Sequence, residues 1–208
     1  MTASEASSHL IQTGHRLGAR GWLRATSGNL SLRVSDDPLT MAITRSGSDK
    51  QSLEAEDIIG VSRQKVIWGT GRPSAETGIH EAIYTRTSAG AVLHVHTVFN
   101  NLASSWADAG HLHLSGNEML KALGFWDEDA ACHLPVIPNY ADLERLAETA
   151  RAALDSTVPG LLIAGHGLYA FGNDLKNAVA HLEAFEFLFE WLYYQRLGGQ
   201  VGLTLVGS

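Results

Sequence analysis

The sequence is poor in cysteine, in basic residues and in long apolar runs. Cys132 is the single cysteine among 208 residues, so an internal disulfide and a thiolate-rich structural zinc site are both excluded. No apolar run approaches the roughly 20 residues that span a bilayer. The first residues also lack the basic stretch and apolar core of a signal peptide. We therefore expect a cytoplasmic protein.

The charge balance limits the classes of partner. The chain has 22 acidic and 15 basic residues, with a formal net charge of -7. This balance argues against binding to nucleic acid or to an anionic membrane, although a local basic pocket can still bind a small anion. The apolar fraction of 45% and the charged fraction of 18% are typical of a globular protein. Since no repeat or linker divides the chain, we expect one domain over residues 1–208.

Helical and strand periodicities both occur along the chain. "GNLSLRV" and "LTMAITRSG" predict a hairpin, and "GAVLHVHT" and "GLLIAGHGLYAFG" predict further strands. "SAETGIHEAIYTRTS" predicts a helix that Ser74 caps, and the long apolar pattern after residue 174 predicts another. We expect an α/β or α+β domain in which helices pack on a central sheet, because the helices and the sheet each need a partner that covers their apolar face.

Three histidines lie where apolar, strand-like runs end. His94 and His96 are two residues apart, so on a strand their side chains point to the same face. His166 lies between two glycines in a later turn. Three protein ligands with one open position are typical of catalytic zinc. The alternative is that the first two are core histidines and that His166 is hydrogen-bonded to backbone.

A second H-x-H pair and two glutamates have competing interpretations. His111 and His113 follow a polar stretch, which favours a partly exposed loop pair over a substrate contact. Glu76 lies at a helix start, where the helix dipole favours its charged form. Glu118 lies beside apolar residues, where burial would raise its pKa towards that of an efficient general acid–base. Either carboxylate can be the base, or both can be ordinary helix residues.

Three small polar turns are candidate anion sites. They are "ATSGNLS", "TRSGSDK" and "PSAET". Exposed backbone N–H groups in Gly/Ser turns, and helix N-termini, bind phosphate readily. Each turn taken alone is unremarkable in composition, but three of them beside a candidate metal site favour a phosphorylated substrate. "GTG" at residues 69–71 does not extend to a dinucleotide-binding fingerprint.

In order along the chain, these motifs resemble the class II aldolase/adducin-head family. The resemblance rests on "GW-x₂-ATSGNLS-x-R", "TRSGSDK", "RPSAET-x₂-H", "AVLHVHT", "GHGLYAFG" and "A-x₂-H-x-EAFEFLFE". It implies a three-layer α/β/α fold with a mostly antiparallel sheet, and a homotetramer with active sites at subunit interfaces. "NEMLKALG" and "PVIPN" favour the members that remove water from a ketose phosphate. A sugar-phosphate aldolase or 4-epimerase, and a non-catalytic assembly module, are the alternatives.

The resemblance also implies roles for individual residues. It assigns one zinc ion to His94, His96 and His166. The position of Glu76 is a base or an extra metal ligand in the family's aldolases, and that of Glu118 is the general acid–base of the dehydratases. Lys121 matches a lysine of similar dehydratases. Phosphate binding maps onto Gly28, Asn29, Ser46, Gly47, Ser74 and, as a further candidate, Lys121.

Overall fold

The computed structural model describes residues 1–200, which form five α-helices and nine β-strands. The helices are α1 (Ala3–Ala19), α2 (Thr77–Arg86), α3 (Val98–Ser104), α4 (Leu143–Ala153) and α5 (Leu175–Gln200). The strands are β1 (Asn29–Asp36), β2 (Leu39–Thr44), β3 (Ile58–Ser62), β4 (Lys65–Trp68), β5 (Ala91–Val95), β6 (His111–Ser115), β7 (Ala131–Ile137), β8 (Gly160–Ile163) and β9 (Gly167–Gly172). Short 3₁₀ turns cover Ala55–Asp57 and Glu118–Leu123. No helix in this part of the chain is both long and apolar enough to cross a bilayer.

The strands form one sheet in the order β4-β3-β2-β1-β5-β9-β8-β7-β6. Every neighbouring pair is antiparallel except β7 and β8, so the expectation of a mostly antiparallel sheet is confirmed. Strand β5 lies between β1 and β9, and its register sets His94 opposite Asn29 on one side and Tyr169 on the other. The site residues of distant segments are therefore neighbours in the sheet.

Helices cover both faces of the sheet, which confirms the three-layer α/β/α architecture. One core cluster joins the sheet to α1, α3 and α5, and the other joins it to α2 and α4. Along β5, Leu93 and Val95 face the first cluster and Val92 faces the second. Because strand side chains alternate, His94 points to the face that α2 covers. The apolar face predicted for α5 is buried from Val179 to Phe189.

Two local predictions differ from the structure. Helix α2 begins at Thr77 with Glu76 in the capping position, so the prediction of a Ser74 cap was wrong. The Ser74 hydroxyl instead accepts a hydrogen bond from the Glu76 backbone N–H. The pair His111 and His113 was predicted in a loop, but it lies on strand β6. Both histidines are exposed there because β6 is an edge strand whose leucines take the buried face.

Candidate active site

Four side chains converge where β5 ends and β9 begins. The candidate ligand atoms of Glu76, His94, His96 and His166 all lie within 4.8 Å of one another. His94 lies near the end of β5, His96 directly follows the strand, and His166 lies in the turn between β8 and β9. Because β5 and β9 are antiparallel neighbours, that turn meets the end of β5. Glu76 comes from the start of α2, so the predicted trio of histidines gains a carboxylate.

The contacts inside this cluster are short. His94 Nε2 and His96 Nε2 lie 2.8 Å apart. His166 Nε2 lies 2.8 Å from Glu76 Oε1, and His94 Nε2 lies 3.4 Å from Glu76 Oε2. The three histidines are therefore not unrelated core and turn residues, because they contact one another or the same carboxylate. Nitrogen and carboxylate donors meet at one point.

The protonation states favour cation binding. Burial lowers the pKa of His94 to about 3 and that of His96 to about 4, so both rings are neutral at pH 7. Neutral His94 donates its Nδ1 proton to the Leu168 carbonyl at 3.0 Å, which leaves the Nε2 lone pair directed into the cluster. Burial disfavours the Glu76 carboxylate, but its hydrogen bonds with His166 and Asn29 and its electrostatic interaction with the neighbouring imidazoles outweigh this and keep its pKa well below the ordinary range.

The donor set fits a divalent metal ion. Three imidazole nitrogens and one carboxylate oxygen are donors that zinc and other first-row metals accept. The backbone hydrogen bond of His94 is the outer contact that orients a metal-binding imidazole. His166 Nδ1 is buried and has no hydrogen-bond partner among residues 1–200. The contact of His166 with Glu76 is made through the other ring nitrogen, Nε2.

A glycine makes room for the histidines. A Cβ atom at Gly167 would lie 2.6 Å from the Val95 carbonyl oxygen and within 3.0 Å of ring carbons of His94 and His96. Real Cβ atoms essentially never approach backbone so closely, so a larger residue would displace the end of β5. The glycine after His166 is thus a packing requirement of the cluster.

The three predicted anion-binding turns share one cavity beside the candidate metal ligands Glu76, His94, His96 and His166, which we call the metal cluster. The cavity has a volume of about 240 Å³, and Glu76 and His96 form part of its wall. Its lining includes five predicted phosphate residues: Gly28, Asn29, Ser46, Gly47 and Ser74. Asn29 Nδ2 donates to Glu76 Oε2 at 2.7 Å and to Ser74 Oγ at 3.1 Å, so this amide joins the cavity to the metal cluster.

Two cations of this cavity were missing from the predicted set, although both lie in the "TRSGSDK" motif. Lys50 is 3% exposed, and its Nζ donates to the carbonyls of Thr26 and Ser48 at 2.7 and 2.9 Å. Lys50 thereby ties two of the turns together, and burial lowers its pKa. Arg45 also lines the cavity, and Asp57 binds its guanidinium. Charged residues are common in surface turns for reasons unrelated to binding, so the motif alone did not identify Lys50 and Arg45 as residues of the cavity.

Glu118 and Lys121 are not part of this arrangement within the chain. They lie on the 3₁₀ turn Glu118–Leu123, and Lys121 Nζ donates to Glu118 Oε1 at 2.7 Å. The Glu118 side chain is 82% exposed, so within the single chain the interpretation of a solvated residue holds and that of a buried carboxylate does not. A 3₁₀ turn has a period of three residues. Burial of Leu120 and Leu123 therefore leaves Glu118 and Lys121 to share the outer face.

A second, larger cavity also has His96 in its wall. It has a volume of about 500 Å³, and its lining includes the apolar side chains of Trp22, Phe99 and Leu102. Arg24 lies at the same cavity. Arg20 and Glu186 line it as well, and His96 is the residue that the two cavities share.

Comparison with known proteins agrees with this geometry. The family model of the Class II Aldolase and Adducin N-terminal domain matches residues 8–193. A methylthioribulose-1-phosphate dehydratase of Persephonella marina is 50% identical over 180 residues, which are 85% of this chain and 84% of that protein. A protein of the same name from Geobacillus kaustophilus is 46% identical over 93% of this chain and 95% of its own length. The crystal structure of L-fuculose-1-phosphate aldolase from Thermus thermophilus superposes with a TM-score of 0.74 at 27% identity, covering 96% of this chain and 99% of that one.

Proposed function

Since this chain belongs to the class II aldolase and adducin N-terminal domain family, we propose that it is a zinc-dependent lyase of methionine salvage. It removes water from 5-methylthioribulose 1-phosphate and yields the 2,3-diketo-5-methylthiopentyl phosphate. The observation that carries this proposal is the cluster of three histidines and Glu76 beside the cavity of the three turns. The identity of 50% with a curated dehydratase supports the choice of reaction.

His94, His96 and His166 are the proposed zinc ligands, and Glu76 is the adjoining carboxylate. When bound, zinc supplies a Lewis acid that stabilises negative charge developing on the substrate oxygens at C2 and C3. Retention of all three histidines and of both Glu76 and Glu118 argues against a non-catalytic assembly module. Such a module needs the fold but not the ligands.

The substrate phosphate binds in the cavity of the three turns. Gly28 and Gly47 have positive φ, which exposes the neighbouring backbone N–H groups, and Ser46 and Ser74 add hydroxyl groups. Lys50 and Arg45 bring positive charge to the same wall. Within one chain, Lys121 is outside this cavity, so its proposed phosphate contact depends on a neighbouring subunit.

Glu118 is the proposed general acid–base. It takes the proton from C3 of the substrate and returns it to the hydroxyl leaving C4, which departs as water. Because Glu118 is exposed, Lys121 is partly exposed and both lie outside the histidine cluster of their own chain, we propose that they serve the site of a neighbouring subunit. This proposal requires a homo-oligomer, and the family resemblance favours a homotetramer. The cytoplasmic location stays a prediction.

The apolar cavity suits the methylthio end of the substrate. His96 lines both compartments, so a ketose phosphate that reaches the metal cluster from the phosphate side has its far end directed to Trp22, Phe99 and Leu102. Burial of an apolar group against such side chains stabilises the complex by about 0.8 kcal/mol per methylene.

A second candidate is a sugar-phosphate aldolase or 4-epimerase. The observation in its favour is the position of Glu76, whose carboxylate is 2.8 Å from His166 and matches the base or extra ligand of the family's aldolases. Both reactions need the same ligands and the same phosphate cavity. They differ in the bond that breaks, C4–O in the dehydratase and C3–C4 in the aldolase.

The experiment that tests the proposal identifies the products. The zinc-loaded protein is incubated separately with 5-methylthioribulose 1-phosphate and with L-fuculose 1-phosphate, and the products are identified by mass spectrometry. We expect loss of one water from the first and no cleavage of the second, with no turnover by His96→Ala. Cleavage of either substrate into two fragments would establish the aldolase instead. A protein that binds no divalent metal and turns over neither substrate would be the assembly module.

A further inference from the structure

A chain of hydrogen bonds runs through the buried face of the sheet and ends at the candidate site. The Tyr84 hydroxyl lies 2.8 Å from Ser31 Oγ, which lies 2.7 Å from His80 Nδ1. His80 Nε2 is hydrogen-bonded to Asn29 Oδ1, and Asn29 Nδ2 reaches Glu76. Tyr84, Ser31, His80 and Asn29 are each at most 3% exposed. Tyr84, Ser31 and His80 are closed off from solvent, and Asn29 reaches only the edge of the phosphate cavity, so these groups satisfy one another's hydrogen bonds.

The direction of every hydrogen bond in this chain follows from the carboxylate. An ionised Glu76 only accepts, so the amide nitrogen of Asn29 must face it and the amide oxygen must face His80. That oxygen also only accepts, so His80 carries its proton on Nε2 and accepts through Nδ1 from the Ser31 hydroxyl. Ser31 in turn accepts from Tyr84. The chain therefore donates in one direction, towards Glu76.

Asn29 is the point at which the metal cluster and the phosphate cavity meet. Its two amide protons go to Glu76 Oε2 and to Ser74 Oγ. If the amide were rotated by half a turn, its oxygen would face the carboxylate and both groups would be acceptors. His80 opposes that rotation because its Nε2–H needs the amide oxygen.

We propose that His80 is a positioning residue of this site. By holding the Asn29 amide in one orientation, it keeps Glu76 beside His94 and His166 and keeps the Ser74 hydroxyl oriented at the phosphate cavity. His80 lines neither cavity and is not among the candidate metal ligands. It acts through Asn29 alone. The inference rests on the metal and phosphate sites of the proposed function, but not on the reaction that they serve.

The test compares two substitutions at opposite ends of the hydrogen-bonded chain. His80→Phe keeps an aromatic ring beside Tyr169 but removes both ring nitrogens. Tyr84→Phe removes only the hydroxyl farthest from the site and is the matched control. Binding of inorganic phosphate to the metal-free protein is measured by calorimetry, and zinc affinity is measured by competition with a chelator. Loss of a group that contacts a metal ligand directly costs roughly 10–100-fold in metal affinity. Because His80 acts one contact further out, through Asn29, we expect a loss at the lower end of that range, with weaker phosphate binding, in His80→Phe.

Two further observations separate positioning from general packing. His80→Gln provides an amide N–H for Asn29 and should restore much of both affinities, while Tyr84→Phe should leave both unchanged. Wild-type affinities in folded His80→Phe, or equal losses in His80→Phe and Tyr84→Phe, would overturn the inference. If His80→Phe does not fold, His80→Asn, which is too short to reach Asn29, replaces it with the same expected losses.

Failure of the role proposed for His80 can be told apart from failure of the proposed function. If the wild-type protein binds neither phosphate nor zinc, the proposed function and the role of His80 both fail. If it binds both but dehydrates nothing, the proposed reaction is wrong, and the comparison of His80→Phe with Tyr84→Phe still decides the role of His80.

Discussion

His94 and His96 face each other through Nε2 atoms that lie 2.8 Å apart at the end of β5. Strand β5 is hydrogen-bonded on both sides, to β1 and to β9, so the backbone that carries His94 cannot move away from the contact. Because His94 Nδ1 donates to the Leu168 carbonyl, the lone pair of His94 Nε2 is free to accept a proton from His96 or to bind a cation. The sheet therefore fixes the position of His94, and His96 follows directly after the end of the strand.

The first prediction concerns these ligands. His96→Ala should reduce bound zinc, measured by elemental analysis of the purified protein, from about one per chain to near zero because a catalytic zinc site has three protein ligands. His113→Ala is the matched control, since His113 is the second residue of the other H-x-H pair and is exposed on β6. Equal zinc loss in the two variants would contradict the assignment.

The second prediction separates the two carboxylates. Glu118→Gln should retain zinc and lower kcat by about 10²–10⁴-fold, the usual contribution of a general acid–base. Glu128→Gln, a change in the same surface cavity, should leave kcat unchanged. Steady-state kinetics and elemental analysis on each variant provide the test.

The opposite result has a specific meaning. If Glu118→Gln turns over at a near-normal rate while Glu76→Gln does not, Glu76 is the main base. Its position beside His166 would then be used for proton transfer as well as for cation binding.

The third prediction concerns the apolar cavity. Phe99→Ala should lower kcat/KM for 5-methylthioribulose 1-phosphate by about tenfold or more, because one lost apolar contact in a pocket has that effect on discrimination. Activity on the 5-deoxy analogue, which lacks the sulfur and its methyl group, should fall much less. Trp126→Ala removes an aromatic ring that is 70% exposed and serves as the control. A uniform loss on both substrates would show that Phe99 supports the fold or a subunit contact rather than the substrate.

The fourth prediction tests the close approach of the first turn to β5. Gly28 has a φ of +73°, and a Cβ atom there would lie 2.5 Å from the His94 carbonyl oxygen. Gly116 has a φ of +70° with nothing within 4 Å, so Gly116→Ala isolates the cost of the backbone conformation. Gly28→Ala should reduce the free energy of unfolding by about 1–3 kcal/mol more than Gly116→Ala, because it also overpacks. Urea denaturation measures both, and equal values would argue against the close approach.

The fifth prediction is a pH dependence that arises at Glu186. Burial raises the pKa of this carboxyl to about 7, although Thr97 and Asn100 donate to it. The folded protein therefore binds more protons than the unfolded chain between pH 4.5 and 7. The contribution of Glu186 to stability falls as the pH rises through that window, by about 3 kcal/mol in total.

Glu186→Gln should remove this part of the pH dependence, since an amide does not titrate. Urea denaturation of the wild-type protein and of Glu186→Gln at pH 5 and pH 8 tests this prediction. The quantity compared between the two proteins is the change in the free energy of unfolding from pH 5 to pH 8. A wild-type protein whose stability rises relative to that of Glu186→Gln over this range would contradict the raised pKa.

Much of the histidine cluster was predictable from local patterns. His94 and His96 are recognisable from strand periodicity, and His166 from its place between glycines after a second apolar run. The glycine-containing turns at Gly28 and Gly47 likewise have local signals. The strand at residues 111–115 was missed because a short polar/apolar alternation beside a glycine has the same composition as a loop. Burial of Glu118 was one of two interpretations open from the sequence, and the sequence could not decide between them because an apolar neighbour in sequence need not lie on the same face of a turn.

The sequence by itself determined the classes of residue that can meet and the local elements that carry them: two imidazoles on one strand face, a third in a glycine turn, and polar turns suited to an anion. Only the tertiary structure decided which of these meet, because that depends on strand order and register. Pairing β5 between β1 and β9 brings Asn29, Tyr169 and the histidine turn to His94. The start of α2 supplies Glu76 to the same point, and the buried His80 fixes the amide between them. Glu118 and Lys121 remain on the surface, since the leucines of their turn fill the core.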